Sequence, residues 1–183
     1  MLGKLKERNM VKRKLEEHLN GKKDKSNSFS VVEVLIALSI LIVGLLGTVT
    51  LMVRTLDTSL LTLEKLTAAE LAQEGIEIVR NIKDSKVISG EIDSWFNGIS
   101  DGSYYVDYDD HKLNKILPGH SVPFLRKDNN GFFNYASGPL TPYQREIKIR
   151  KISNHHLQVN SIVSWKHKGI SFSVNVEDHL YKY

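Results

Sequence analysis

Twenty consecutive residues, Val34 to Val53 (VLIALSILIVGLLGTVTLMV), carry no formal charge in a chain of 183. At a rise of about 1.5 Å per residue, a helix of this length covers about 30 Å, the thickness of a bilayer's hydrocarbon core. A secretory signal peptide has a shorter apolar stretch and closes on a small-x-small cleavage site. Here the run passes through Arg54 directly into more helix-forming sequence. The pattern predicts a transmembrane anchor seated in the lipid bilayer.

Charge placement orients that anchor. Residues 1–28 hold nine Lys or Arg against four acids, a net of +5, whereas the remaining residues hold sixteen bases against seventeen acids. The high pI therefore belongs to the amino-terminal segment, and no direct nucleic-acid binding by the rest of the chain is inferred from it. Positive flanks stay cytoplasmic, so the segment 1–28 is expected to be a basic cytoplasmic leader and the bulk of the chain to lie outside. The leader's scattered Leu2, Leu5, Met10, Val11, Leu15 and Leu19 allow a weak amphipathic helix on the membrane surface. A flexible, solvated leader is the simpler expectation.

Residues 54–83 contain no proline and one glycine and are rich in Leu, Ala, Glu and Lys, a composition that favours helix. Leu56, Leu60, Leu63, Leu71, Ile78 and Ile82 fall on one stripe, with Glu74 intruding, while Leu61, Leu66, Ile76 and Val79 lie on other faces. A helix apolar on several sides has more than one packing partner. Joined to the span, it would run from about Phe29 to Lys83, close to 80 Å. Residues 29–53 form its transmembrane half and residues 54–83 its extracytoplasmic half.

Residues 84–183 change character. Short alternating runs separated by Gly, Pro, Asn and Asp predict antiparallel strands and turns. Candidate strands are Tyr104–Tyr108, Gln144–Ile152, Leu157–Trp165 and Ile170–Glu177, with a turn at Asp128-Asn129-Asn130-Gly131. In the last strand Phe172, Val174 and Val176 alternate with Ser171, Ser173, Asn175 and Glu177, one buried face and one wet face. The expected fold is α+β: a long N-terminal transmembrane helix continuing into a globular domain and packed against an antiparallel sheet. Cysteine is absent, so core packing alone must hold that domain, and thiol nucleophiles and thiolate metal sites are excluded.

The junction of leader and span reads Ser26-Asn27-Ser28-Phe29-Ser30-Val31-Val32-Glu33-Val34. One carboxylate, Glu33, lies at the head of an apolar helix. An ionisable group there is costly and marks either a function or a boundary residue that snorkels into the headgroups. FSVVEVLIALSILIVGLLG resembles the amino-terminal methylation motif of type IV pilins and pseudopilins. AELAQEGIEIVRNIKD (69–84) and the carboxy-terminal run from Tyr143 through Val163-Ser164-Trp165 to Tyr183 resemble the minor pilins of that family. The resemblance implies that a prepilin peptidase/methyltransferase cuts between Ser28 and Phe29 and methylates the new Phe29 amine. It also implies that Glu33 serves subunit assembly, since a buried carboxylate is tolerable when a neighbour's amine pairs with it. The family carries glycine before the cut, and here that position is Ser28.

The implied partners are other pilin subunits, the peptidase and a pilus assembly platform. The implied role is a minor pilus subunit in the cytoplasmic membrane and then in a surface filament. A pseudopilin of type II secretion, a competence subunit for DNA uptake, and a signal-anchored binding module or enzyme are the alternatives. No catalytic residue, cofactor or metal is assigned. His155 and His156 are adjacent but point to opposite strand faces or sit in a turn. Asp107, Asp109 and Asp110 resemble a fragment of a calcium loop without the glycine and terminal glutamate of an EF-hand. Trp95, Trp165 and the tyrosines read as packing rather than a base-stacking platform.

Overall fold

In the computed structural model, which describes residues 2–20 and 30–182, two α-helical stretches precede everything else. Helix α1 spans Leu2–Asn20, so over these residues the helical alternative replaces the flexible leader, and residues 21–28 of the leader lie outside the described residues. Its Leu, Lys, Arg and Glu are good helix formers, and no proline interrupts them. Helix α2 spans Val31–Ile88, 58 residues. Its first intrahelical bond runs from Val34 N–H to the Ser30 carbonyl at 3.1 Å, so Ser30 occupies the N-cap position.

The other end of α2 lies five residues beyond the expected Lys83. Glu91 N–H donates to Lys86 O at 2.8 Å and Gly90 N–H to Val87 O at 3.1 Å. Gly90 has φ +74°. These two bonds around a left-handed glycine make a Schellman stop, which only a residue lacking Cβ adopts without strain. A short helix follows, α3 (Ile92–Gly98), which buries Phe96. This helix stands in the stretch 84–183, where only strands and turns are expected.

The chain divides into two units, Met1–Met52 and Val53–Tyr183, and the division falls inside α2 at the end of the uncharged run. The second unit is α+β, with a seven-stranded antiparallel sheet. Its strands are β1 (Gly102–Tyr105), β2 (Asn114–Lys115), β3 (Phe124–Lys127), β4 (Phe133–Asn134), β5 (Leu140–Ser153), β6 (His156–His167) and β7 (Ile170–Tyr181). Strand β5 is the spine. One of its edges pairs with β1 and β3 along successive stretches, and the other pairs with β6, which in turn pairs with β7.

The three long strands match the expected ones, each extended by a few residues. Strand β1 differs: it stops at Tyr105 instead of reaching Tyr108. Asp107 and Asp110 then close a turn, with Asp110 N–H donating to Asp107 O at 3.2 Å and Asp107 N–H donating to Asp110 Oδ2 at 2.8 Å. The two-residue strands β2 and β4 and the four-residue β3 were not expected, because so few residues cannot display an alternation.

Alternation on β5 and β6 buries Tyr143, Arg145, Ile147 and Ile149 opposite Val163, Ser161 and Val159. The helix covers them with Ala68, Leu71, Ala72, Gly75, Ile76, Ile78, Val79 and Ile82. Each fully buried Ile, Leu or Val contributes about 1.5–3 kcal/mol. The apolar residues fall into two clusters. One gathers Ile78, Val79, Ile82, Phe96, Ile147 and Leu157, and the other gathers Leu71, Leu125, Tyr143, Val163 and Trp165.

Along both β5 and β6 one polar residue separates the clusters, Arg145 on the first and Ser161 on the second. Gly75 lies directly above them. A Cβ on Gly75 would overlap Ser161 Oγ and sit 2.9 Å from Ile147 Cδ1 and 3.1 Å from Arg145 Cδ. Glycine is what lets the helix backbone come this close to the sheet. Of the apolar stripe, Leu71, Ile78 and Ile82 are buried, as are Ile76 and Val79 from the neighbouring faces, whereas Leu56, Leu60 and Leu63 are exposed.

Candidate functional site

The most unusual surface lies at the start of α2. Apolar side chains from Val31 to Val53 are exposed all round the helix, from 45% at Val34 to 75% at Val31. A water-soluble helix does not carry such a surface uncovered. The few polar side chains in the run are already satisfied. Ser39 Oγ donates to Leu35 O (2.8 Å), Thr48 Oγ1 to Gly44 O (2.9 Å) and Thr50 Oγ1 to Leu46 O (2.8 Å). With backbone groups bonded within the helix and hydroxyls turned back onto it, the segment needs no water. Gly44 and Gly47 leave open space where side chains would stand, which allows another helix to approach closely.

Glu33 is the single charged residue of this stretch. It sits in the first turn of α2 and is exposed. Among the described residues it has no ion-pair partner. With Ser30 at the N-cap, Ser30-Val31-Val32-Glu33 has the spacing of a capping box, in which the carboxylate sits at the third helical position. The helix dipole favours a negative charge there by about 0.3–1 kcal/mol. The S-x-x-E spacing was legible in the sequence, but the reading of an isolated costly charge passed over it. Ser28 and Phe29, the expected cleavage and methylation positions, lie outside the described residues.

No family model, curated protein or solved structure matches the chain.

Just past the uncharged run, a second polar group ties the β6–β7 hairpin to α2. Asp57 and Glu64 are two helical turns apart on one face. His167 Nδ1 lies 2.9 Å from Glu64 Oε2, and its Nε2 lies 3.3 Å from Asp57 Oδ1. Trp165 Nε1 donates to Glu64 Oε2 at 3.1 Å, and Lys168 pairs with Asp57. The Glu64 hydrogen bond, helped by Asp57, raises the pKa of His167, while the Lys168 hydrogen bond lowers that of Asp57. Lys168 holds φ +49° in the tight turn before Gly169. The sequence reading missed this cluster, since nothing local announces a contact spanning about a hundred residues.

The remaining candidates are placed as follows. His155 is in the β5–β6 turn, whereas His156 is on β6, with its Nε2 2.6 Å from His179 Nδ1. Asp107 accepts the N–H groups of Tyr108 (2.8 Å) and Tyr135 (3.0 Å), and Asp110 accepts Asn114 Nδ2 (2.8 Å). These two carboxylates are thus engaged in holding loops, while Asp109 is exposed beside them. Among the described residues, no group of three or more His, Asp or Glu side chains is gathered as a metal site. Trp165 is buried in the second apolar cluster, and Trp95 packs edge-on against Phe96 at 5.1 Å.

Proposed function

We propose that this chain is a minor pilin-like structural subunit, anchored in the cytoplasmic membrane by α2 and withdrawn from it into a surface filament. The observation that carries the reading is the uncovered apolar start of α2, with one carboxylate at its head and no hydroxyl left unsatisfied along it. Such a surface suits lipid before assembly and neighbouring helices afterwards. The amino terminus lies inside and the sheet domain outside, as the basic leader requires. Phe29 becomes the methylated amino terminus after cleavage at Ser28, and Glu33 pairs with that amine on an adjacent subunit. The sheet and its loops form the outward surface, and the role is structural rather than enzymatic.

The test is to shear filaments from cells with and without an active prepilin peptidase, and to measure this chain and its terminal residue by mass spectrometry. The expected result is a chain starting at methylated Phe29 in filaments of the competent cells alone. A chain that starts at Met1 and is confined to the membrane in both strains would overturn the proposal in favour of a signal-anchored module.

A further inference from the structure

Helix α1 carries a mixed basic and apolar face. Every side chain described in it, from Arg8 to Glu17, is exposed. Arg8 and Lys12 stand one turn apart, as do Val11 and Leu15. At about 100° per residue the four positions share an arc of about 100°. Glu16 and Glu17 fall outside that arc, on a back face shared with Arg13, Lys14 and Met10. Val11 and Leu15 are 58% and 60% exposed. The apolar pair thus lies directly beside two cations, with no acid between them.

We infer that α1 is a membrane-surface element, whose Arg8–Val11–Lys12–Leu15 face docks on the anionic headgroups of the leaflet that the α2 span enters. Charge complementarity selects this occupant. Long basic side chains keep their charge at phosphate level while their stems and the neighbouring Val and Leu reach the acyl boundary. The surrounding segment 1–28 has a net charge of +5. Cytoplasmic leaflets are negative, and each Lys or Arg near the surface strengthens attachment about fivefold. The linker is long enough: the ten Cα–Cα steps from Asn20 to Ser30 can span at most about 33–36 Å. With two apolar residues among the described side chains of the face, attraction is mainly electrostatic and weakens as salt rises. The inference rests on the membrane anchoring proposed above, and it gives the leader a specific task, attachment to the leaflet surface beside the span.

The chain lacks cysteine, so a single introduced cysteine carries a spin label at one known place. The full chain is placed in lipid nanodiscs, whose two faces are both open, so orientation does not affect the result. Labels at Val11→Cys and Leu15→Cys are compared with labels at Glu16→Cys and Glu17→Cys for access to a water-soluble nickel relaxant. In phosphatidylcholine–phosphatidylglycerol discs, the first pair should be shielded and the second pair open. The contrast should disappear in pure phosphatidylcholine, at high salt, or on adding Arg8→Gln with Lys12→Gln. Equal access at all four positions in the anionic discs would overturn the surface helix while leaving the anchor standing. A chain that does not enter discs at all would overturn the anchor, and this inference with it.

Discussion

Arg145 on β5 has a fully buried side chain, yet its Nη1 meets Glu74 Oε2 on α2 at 2.9 Å, and that carboxylate remains 36% exposed. Nη1 also donates to Leu71 O at 3.3 Å and Nη2 to Val106 O at 2.9 Å, while Nε has no partner among the described residues. One guanidinium thus joins the helix, the sheet and the loop after β1. It does so in the polar band that separates the two apolar clusters. The burial is lopsided, because only the cation has lost its water.

That asymmetry ranks the variants. Glu74→Ala strands a buried cation with carbonyl partners only, and should cost about 3 kcal/mol, the low end for a broken buried pair. Arg145→Met frees a carboxylate that water can reach, so it should cost less, and the Glu74→Ala/Arg145→Met double variant should recover most of the loss. Urea denaturation in detergent, followed by Trp165 fluorescence, reads the order. Equal losses for the two single changes would show that burial of the charge does not set the cost.

Gly75→Ala tests the close approach of helix and sheet. Alanine gains about 1 kcal/mol in helix propensity, but overpacking a tight contact costs about 1–3 kcal/mol. The expected net is a loss of about 1 kcal/mol. Ser161 Oγ is buried without a partner among the described residues, so Ser161→Ala should be neutral or mildly stabilising. It should also rescue Gly75→Ala in part. A stabilising Gly75→Ala would mean that the helix rides farther from the sheet.

The His167 clamp should depend on pH in a definite direction. Its pKa is raised by the hydrogen bond to Glu64 and then by Asp57. Its stabilisation is therefore complete below the ordinary histidine value near 6.5 and is lost as pH climbs through the raised one. Asp57, lowered chiefly by Lys168, contributes above its ordinary value near 3.8 and loses that contribution as pH falls through the lowered one. Protection factors at the β6–β7 turn, that is, hydrogen exchange corrected for its intrinsic pH dependence, should be highest between these limits and should fall on the alkaline side. His167→Asn should flatten the alkaline limb; an unchanged limb would assign it to another group.

Glu33 has two candidate roles, capping α2 and pairing between subunits, and substitution separates them. Glu33→Gln keeps a capping-box side chain without the charge, and Glu33→Leu removes both. Either change should leave the membrane pool intact, since the lost dipole interaction is only about 0.3–1 kcal/mol. Both should empty the filament pool if charge pairing drives assembly. Glu33→Gln entering filaments like wild type would reassign the residue to capping.

Processing can be tested at Ser28. Replacing it with glycine should speed cleavage before Phe29 without moving the cut, as followed by pulse-labelling and terminal sequencing. A shifted cut, or an unchanged rate, would remove Ser28 as the feature that limits processing.

The sequence by itself determined what depends on neighbours along the chain. The uncharged run from Val34 to Val53 is helical because backbone bonding within one segment is local. The alternation in β5, β6 and β7 is visible because a strand with one buried face repeats every two residues. The S-x-x-E spacing at Ser30 and the Ser89-Gly90 stop are likewise local signals. Tertiary structure alone decided which face of α2 is buried. The helix is apolar on several sides, and the choice went to the face where Gly75 allows contact with β5 and β6. It also decided that Arg145, unremarkable in an alternating strand, would lose all its water, and that His167 would reach Asp57 and Glu64 across about a hundred residues. Those outcomes depend on register and on close approach between distant segments, which no local pattern encodes.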